Sequence, residues 1–218
     1  MIVVIGSSTL GGDGATATPD GLANHIASAA VAAGASVELV AKIGDDRAGD
    51  ALLVALARAR IGHVAVLRDA VHPTLRHPAI DDVEVDIEAA IDAEPDADAA
   101  ASVDTTDPIN APTLDAADVD LALRYLTEYR VLVVVHAAEA VVATAVAAAD
   151  WAASHLVVVT EPDQPASDGL LAGSLALAAA DEPDGVNALG TRLGQYAAAV
   201  DGGTDPATAY LGLTTTTD

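Results

Sequence analysis

The chain has 218 residues, a length that fits one domain with a hydrophobic core of its own. Hydrophobic residues make up 52% of the sequence, which excludes wholesale disorder, but they are mostly Ala and Val, with one Trp and no Phe. The formal net charge of −24, from 9 basic and 33 acidic residues, disfavours nucleic acids and anionic membranes as partners, because phosphate groups are bound by clustered Lys and Arg.

The charge imbalance also predicts the solvent in which the chain works. Acidic charges at this density repel one another and destabilise a compact chain in dilute buffer. At about 1 M salt the Debye length is roughly 3 Å, so this repulsion is screened. Lys42 is the only Lys, and the absence of Cys excludes disulfides and thiolate metal sites. We therefore expect a protein of a halophile with a high-salt cytoplasm; an ordinary acidic protein is the alternative.

The sequence predicts neither a signal peptide nor a membrane span. The apolar run 2–5 is too short for the core of a signal peptide and ends at Gly6. The longest apolar run, 131–149, is largely Ala and contains His136 and Glu139, whereas a span needs about 20 strongly apolar residues. We interpret this run as a buried strand followed by a helix.

The first third of the chain alternates strands and helices. The predicted elements, in chain order, are a strand 2–5, a helix 22–33, a strand 36–41, a helix 46–60 and a strand 63–67. A loop rich in Gly, Ser and Thr is expected over 6–18. Gly34 ends the first helix, and Asp45-Asp46 caps the second. This alternation predicts βαβ units on a parallel sheet.

The remainder is less regular. The stretch 81–107 is dense in Asp and Glu, which predicts a solvated, irregular segment with a short edge strand around Val83–Val85. The later predicted elements are a helix 114–129, a strand 131–135, a helix 138–154, a strand 156–160, a strand within 175–179, and helices 186–200 and 206–211. We expect a single domain over 1–213 and a frayed tail over 214–218.

The glycine-rich loop after the first strand matches neither common nucleotide-binding motif. Gly6 and Gly11 have the spacing that opens a P-loop, but Gly12 and Asp13 stand where Lys and Ser or Thr are required. The fingerprint G-x-G-x-x-G is absent, so a plain turn over the sheet edge is the alternative interpretation. The His residues lack the spacing of metal ligands, and we predict no metal site.

A second set of residues is more specific. It reads Asn24-x9-Gly34-x9-Gly44-Asp45-Asp46-x-x-Gly49, with an Ala-rich helix between Asn24 and Gly34 and with Pro73-Thr74 further on. In order and spacing, residues 1–75 resemble the PfkB-type carbohydrate kinases, the ribokinase family. The resemblance implies a three-layer α/β/α ribokinase-like domain with a mostly parallel sheet.

The resemblance also implies a substrate site. It places a sugar-contacting Asn at the start of the first helix, here Asn24, although a plain helix cap is the alternative role. Gly44 and Asp46, in the turn before the second helix, are further candidates for substrate binding. The sheet's carboxyl edge is where such a ligand is expected to bind.

The sequence departs from this family in its first loop. Gly11 stands where the family carries an Asp that binds sugar hydroxyls, and Asp13 is the nearest acid. Pro19-Asp20 stands in place of a di-Gly hinge. The segment after the first strand is too short for the small β lid, so we expect the lid to be reduced or absent. A homodimer would then need a surface other than the lid.

The second family signature, Gly-Ala-Gly-Asp at the start of a late helix, is missing where it is expected. Counting back from Gly202-Gly203 places it on residues 187–190, which hold no Asp. In the family this Asp is the general base, and the backbone N–H groups beside it bind the transferred phosphoryl group. Strands that carry the nucleotide are also expected to be missing between Thr160 and Asp184.

Asp184 is the candidate for a displaced catalytic base, with a helix N-cap as the alternative role. Gly185, Val186 and Asn187 are the candidates for binding the phosphate groups of the cofactor.

Two functions remain open. The first is ATP- and Mg²⁺-dependent phosphorylation of a sugar or similar alcohol. The second is a non-catalytic module without cofactor, which keeps the fold to bind a small molecule, to regulate or to dimerise. The residues favour the second, because the base, the anion site and the sugar-binding Asp are absent from their expected positions. Without a positioned base the chemical step would be slower by about 10²–10⁴-fold.

Overall fold

A computed structural model of the chain describes residues 1–12, 16–77, 110–161, 170–178 and 183–214. The strands are β1 (Ile2–Ile5), β2 (Thr9–Gly11), β3 (Thr18–Asp20), β4 (Val37–Gly44), β5 (Gly62–Asp69), β6 (Arg76–His77), β7 (Val131–Val135), β8 (His155–Thr160) and β9 (Leu175–Ala178). The helices are α1 (Leu22–Ala32), α2 (Arg47–Arg58), α3 (Ala116–Tyr125), α4 (Glu139–Ala152), α5 (Pro183–Asp201) and α6 (Pro206–Thr214).

Six strands form a parallel sheet in the order β5-β4-β1-β7-β8-β9. The central strand β1 pairs with β4 on one side and with β7 on the other, so that Ile2 lies opposite both Val37 and Val131. All four residues of β1 and all five of β7 are buried. Continuous runs of Val and Ile are typical of strands covered on both faces. The strand predicted within 175–179 is confirmed as β9, which pairs with β8.

Helices cover both faces of this sheet. Ile2 and Val4 point into one core together with Leu52 of α2 and Leu193 of α5. Val3 and Ile5, which alternate with them along β1, point into a second core that is closed by α3 and α4. The fold is therefore the three-layer α/β/α arrangement that the sequence predicts.

A second, three-stranded sheet lies beside the main one, in the order β3-β2-β6. β2 and β3 are antiparallel, with Gly11 opposite Thr18, and β6 runs parallel to β2. The prediction of a loop over 6–18 is therefore wrong in part, because β2 lies within this segment and β3 begins at its last residue, Thr18. Both strands are only three residues long and lack a period-two apolar pattern, which explains why the sequence gives no strand signal. That the family's lid is reduced or absent stays a prediction.

The ends of two helices differ from the sequence prediction. The predicted helix 114–129 is shorter: α3 begins after Asp115, whose carboxylate accepts a hydrogen bond from the Asp118 N–H at 2.8 Å, and it ends at Tyr125. The predicted helix 186–200 begins earlier, at Pro183. Proline is common at the first helical position, because the N–H group it lacks would have no partner there.

Several predictions fall at the limits of the description. Asp13, Val83–Val85 and the rest of the acidic stretch lie outside the described residues. α6 continues to Thr214, and residues 215–218 also lie outside them. Of the helices within the described ranges, none has the length and apolar character needed to cross a membrane.

Candidate ligand-binding site at the carboxyl edge of the sheet

The strand order creates a switch point at the centre of the sheet. From β1 the chain proceeds outward to β4 and β5 on one side and later to β7, β8 and β9 on the other. In open α/β sheets, ligands bind outside the carboxyl ends of the strands at such a point. A cavity of about 130 Å³ lies there, lined by Gly6 and Ser7 after β1, by His136 after β7 and by Lys42 of β4 among others.

Helices α1 and α5 pack so closely at two glycines of α5 that no side chain fits between them. A Cβ atom added to Gly190 would lie 2.6 Å from the Cβ of His25, and one added to Gly194 would lie 2.5 Å from the Cβ of Ala29. Residue numbers rise together along both helices in these pairs, so α1 and α5 run parallel. The second turn of α5 therefore lies beside the first turn of α1, and the start of α5 extends about one turn beyond it at the carboxyl edge of the sheet.

Helix α5 begins earlier than the residues on which the sequence count placed the family's phosphate-binding signature. Residues 187–190, on which the sequence count placed it, lie in the second turn of α5, and Gly190 is used for packing against α1. The helix begins at Pro183, so Asp184 is its second residue. Residues 187–190 therefore do not lie at the start of the helix, and the role of Asp184 as a displaced catalytic base stays a prediction.

Helical geometry decides which N–H groups are free at this end. The first N–H groups of an α-helix have no partner within it, and Pro183 has no N–H to offer. The N–H groups of Asp184 and Gly185 remain, whereas those of Val186 and Asn187 bond to carbonyl groups one turn earlier. Of the three residues predicted to bind phosphate, Gly185 thus has the spare N–H group.

Asn24 lies in the first turn of α1 and is fully buried. Its Nδ2 donates hydrogen bonds to the Oγ of Ser8 at 2.9 Å and to the carbonyl oxygen of Asp20 at 2.5 Å. The residue at the N-cap position is Gly21, so Asn24 does not cap the helix. In this arrangement Asn24 braces the strands β2 and β3 against α1, and a ligand would reach it only after those strands move.

Two buried oxygens at this end of the molecule have no hydrogen-bond partner among the described residues. They are the Oδ1 of Asn24 and the Oγ1 of Thr9, the first residue of β2. A buried acceptor without a partner costs about 1–3 kcal/mol. Such atoms are places where a hydroxyl-rich ligand or an ordered water would gain hydrogen bonds.

Asp20, at the end of β3, joins two His residues that are distant in sequence. Its Oδ1 lies 3.0 Å from the Nε2 of His25 in α1, and its Oδ2 lies 2.7 Å from the Nδ1 of His77 in β6. The hydrogen bond with His25 is the main reason why the pKa of Asp20 lies well below its usual value; burial opposes it, and His77 and the Gly21 N–H add to it. Asp20 is therefore a carboxylate at any physiological pH.

The Asp20 carboxylate lies next to Gly11, on the neighbouring strand β2. A Cβ atom added to Gly11 would lie 3.2 Å from the Cβ of Asp20 and 3.4 Å from its Oδ2. The family acid is missing at position 11, but a carboxylate from the paired strand lies beside it. In the sequence, Asp20 stands only in place of a hinge residue, and its contact with position 11 is not evident there because it depends on the pairing of β2 with β3.

Gly44 and Asp46, both predicted to bind substrate, hold α2 to the segment before β6. The Asp46 carboxylate accepts hydrogen bonds from the Gly49 N–H at 2.7 Å and from the N–H and hydroxyl of Thr74 at 2.8 and 2.7 Å. The buried Thr74 hydroxyl also accepts from the Gly44 N–H at 2.9 Å. Burial raises the pKa of Asp46, but these hydrogen bonds outweigh it and leave the pKa below its usual value.

The hydrogen bonds among Gly44, Asp46 and Thr74 form a clamp between α2 and β6. The clamp fixes the segment before β6, whose residue His77 contacts Asp20. A direct contact of Gly44 or Asp46 with substrate stays a prediction, as do the roles of Asn24 and Asp13. Within the described ranges, no group of three or more His, Asp or Glu side chains has a geometry that would hold a metal ion.

The sequence matches no protein-family model and no curated protein sequence. Solved structures do match. A protein named Sa239 superposes with a TM-score of 0.62 at 12% identity, over 95% of this chain and 89% of that one. An E. coli protein assigned as ribokinase II, in complex with ATP and Mg²⁺, has a TM-score of 0.62 at 13% identity, over 95% of this chain and 88% of that one.

A third match is the fructokinase with bound ATP from Xylella fastidiosa, with a TM-score of 0.51 at 13% identity, over 97% of this chain and 67% of that one. At such identities the likeness concerns the fold alone. The chain has a ribokinase-like fold, as the resemblance of its first 75 residues implied.

Proposed function

We propose that this chain transfers a phosphoryl group from ATP to a hydroxyl of a sugar-like alcohol at the carboxyl edge of its sheet. The observation that carries the proposal is the parallel packing of α1 and α5 through Gly190 and Gly194. This packing supports the proposal because the start of α5, with Asp184 and Gly185, extends about one turn beyond the start of α1, on the side where the Asp20 cluster lies. Proteins with similar folds were solved with ATP, in one case with Mg²⁺, which supports the choice of donor.

Each group has a role that its position supports. The Gly185 N–H and the positive end of the α5 dipole would stabilise the phosphate groups. Asp184 would accept the proton of the attacking hydroxyl. The Asp20 carboxylate would accept hydrogen bonds from other hydroxyls of the substrate, and the unpartnered oxygens of Asn24 and Thr9 would bind the same ligand if β2 and β3 open. Mg²⁺ would arrive with ATP and neutralise part of its charge.

We expect this enzyme to be slow. Pro183 removes one N–H donor from the start of α5. Lys42, which lines the neighbouring cavity, is bonded to Asp118 at 2.9 Å, so its charge is already compensated. Both features leave fewer groups to stabilise the charge of the transferred phosphoryl group.

A second candidate is a module that binds a sugar-like molecule without catalysis. It is favoured by Pro183 at the start of α5 and by the bond of Lys42 to Asp118, because both leave the transferred phosphoryl group poorly stabilised while neither prevents a sugar-like molecule from binding. In this case ligands would bind but no phosphoryl group would be transferred.

The proposal is tested by measuring ADP release from ATP with a panel of sugars in molar KCl. Asp184→Asn should lower the rate by about 10²-fold or more, as expected for loss of a general base. Asp150→Asn is the matched control, because Asp150 lies exposed on α4, far along the chain from the site. Equal rates for wild type and Asp184→Asn would sink the assignment of the base.

Thermal unfolding separates the two candidates. A ligand present at roughly 100 times its Kd stabilises the folded state by about 2.7 kcal/mol. Stabilisation by both ATP and a sugar supports the kinase. Stabilisation by a sugar alone supports the binding module, and no stabilisation by any nucleotide or sugar counts against both.

We further propose that the protein works in the high-salt cytoplasm of a halophile. The support is the net charge of −24 and the lack of a compensating basic cluster in the sequence. The melting temperature should rise steeply between dilute buffer and molar KCl, as screening removes the repulsion. A melting temperature that does not depend on salt would contradict this proposal.

A further inference from the structure

An apolar groove runs between α3 and α4 on the outer face of the second helical layer. It encloses about 740 Å³, and its lining includes Leu123, Leu126, Tyr129, Ala147 and Trp151. Trp151, the only Trp of the chain, stands at one side with 85% of its surface exposed. Cavities that hold ligands or anchor side chains of partners typically enclose about 300–1,000 Å³, so this groove is large enough for a specific occupant.

The exposure of Trp151 is unusual for this composition. The chain has one Trp, four Tyr and no Phe, so most of its core is built from Ala, Val and Leu. An aromatic side chain of this size contributes much to a core when it is buried, yet Trp151 lies in solvent. Exposed Trp beside an apolar groove is typical of protein–protein contact sites.

Charge indicates which kind of partner fits. Asp120 lines the groove, and Glu128 and Asp150 are exposed neighbours in sequence of groove residues. Arg124, the basic residue of the lining, is bonded to Asp120 at 2.6 Å. α4 has no basic residue in its last turn to offset the negative end of its dipole near Trp151. The groove therefore has an apolar floor and a negative rim.

We propose that this groove binds a cationic amphipathic helix of a partner protein. The apolar side of such a helix would pack on Trp151, Leu126 and Ala147, and its Lys or Arg side chains would pair with Asp120, Glu128 and Asp150. A second copy of this chain fits less well, because its 9 basic residues against 33 acidic ones offer few cations to pair with the rim at contact distance. The site is independent of the carboxyl edge.

Trp151 is also the reporter for the test. The full chain is mixed with a model peptide of about 18 Leu and Lys residues at helical spacing, and with a peptide of the same composition in scrambled order. We expect the helical peptide to shift Trp151 emission to the blue and to protect it from acrylamide. Binding should weaken as salt rises, because the rim charges become screened. Equal binding of the scrambled peptide would overturn the proposal.

Two variants separate the groove from general charge attraction. Ala147→Gln places a polar side chain in the groove without changing the net charge, and it should weaken binding about tenfold. Val54→Gln is the matched control on α2, where Val54 is likewise exposed, and it should bind as the wild type does. Equal weakening by both variants, or none by either, would overturn the proposal.

The free chain gives a further check. Its Trp151 emission should be that of an exposed indole at every protein concentration. A blue shift that grows with protein concentration in the absence of peptide would identify a second copy as the occupant. Blue-shifted emission already present in dilute protein would mean that the groove is filled. Either result contradicts a foreign helix, and neither bears on phosphoryl transfer.

Discussion

The two helical layers of this molecule are built in opposite ways. In one, α1 and α5 approach so closely at Gly190 and Gly194 that a single Cβ atom would collide with the facing helix. In the other, α3 and α4 leave a groove of about 740 Å³ between them. Close backbone contact fixes the ends of two helices relative to each other, as a site made from helix ends requires. The open layer has no such constraint, and it leaves apolar surface for a partner.

The largest effect on stability is expected at the contact between α1 and α5. Gly194→Ala would place a Cβ atom 2.5 Å from the backbone oxygen of Ile26, which cannot rotate away. We expect a loss of about 3 kcal/mol in the free energy of unfolding, the upper end for overpacking, together with weaker nucleotide binding. Gly212→Ala is the control: no atom lies within 4 Å of an added Cβ, and the variant should be about 0.5–1 kcal/mol more stable. Urea unfolding measures both.

Breaking the clamp between α2 and β6 should lower the free energy of unfolding by somewhat less than Gly194→Ala does. Thr74→Val keeps the shape but removes the buried hydroxyl that bonds Asp46 and Gly44. Leaving these groups without a partner should cost about 2 kcal/mol. Thr191→Val, at an exposed position of α5, should change stability by less than about 0.5 kcal/mol. Similar values for the two variants would show that the clamp does not hold β6 in place.

The Asp20 cluster should give a smaller, pH-dependent effect. Because His25 above all lowers the pKa of Asp20 in the folded chain, the carboxylate stabilises the fold above its unfolded pKa of about 3.9, and this contribution is lost as pH falls further. Asp20→Asn should cost on the order of 1 kcal/mol at neutral pH, after allowance for solvent screening. The difference from wild type should shrink below about pH 4. A difference that does not vary with pH would rule out the charge as its cause.

The smallest effect on stability is expected at the groove between α3 and α4. Trp151→Gln removes the largest side chain at the groove, yet Trp151 is 85% exposed and contributes little to the core. The free energy of unfolding should change by less than about 0.5 kcal/mol. A loss near that of Gly194→Ala would mean that the groove is closed in solution, and the contrast between the two layers would disappear.

The parts of the fold that the sequence predicts are those with local patterns. The runs 2–5 and 131–135 read as buried strands because every residue is Val, Ile or Leu, and Gly34 marks the end of α1 because it adopts a φ of 91°. The small sheet was not predicted, since β2 and β3 are short and mixed in polarity.

The candidate site was predicted less well, for two physical reasons. Asp20 and His77 are 57 positions apart, so their contact depends on the pairing of β2 with β3 and β6. The start of α5 was placed three residues too late, because Pro183 was not taken as the first helical residue. That shift left Asp184 outside the predicted helix.

Nucleotide binding at the start of α5, about one turn beyond the start of α1, is the proposal on which the other site assignments depend. Mapping backbone amide shifts by NMR during titration with a non-hydrolysable ATP analogue and Mg²⁺ in molar KCl tests this proposal. We expect the largest shifts at the Asp184 and Gly185 amides, with smaller ones at His25 and His77. Shifts confined to α3 and α4, or none at saturating analogue, would contradict it.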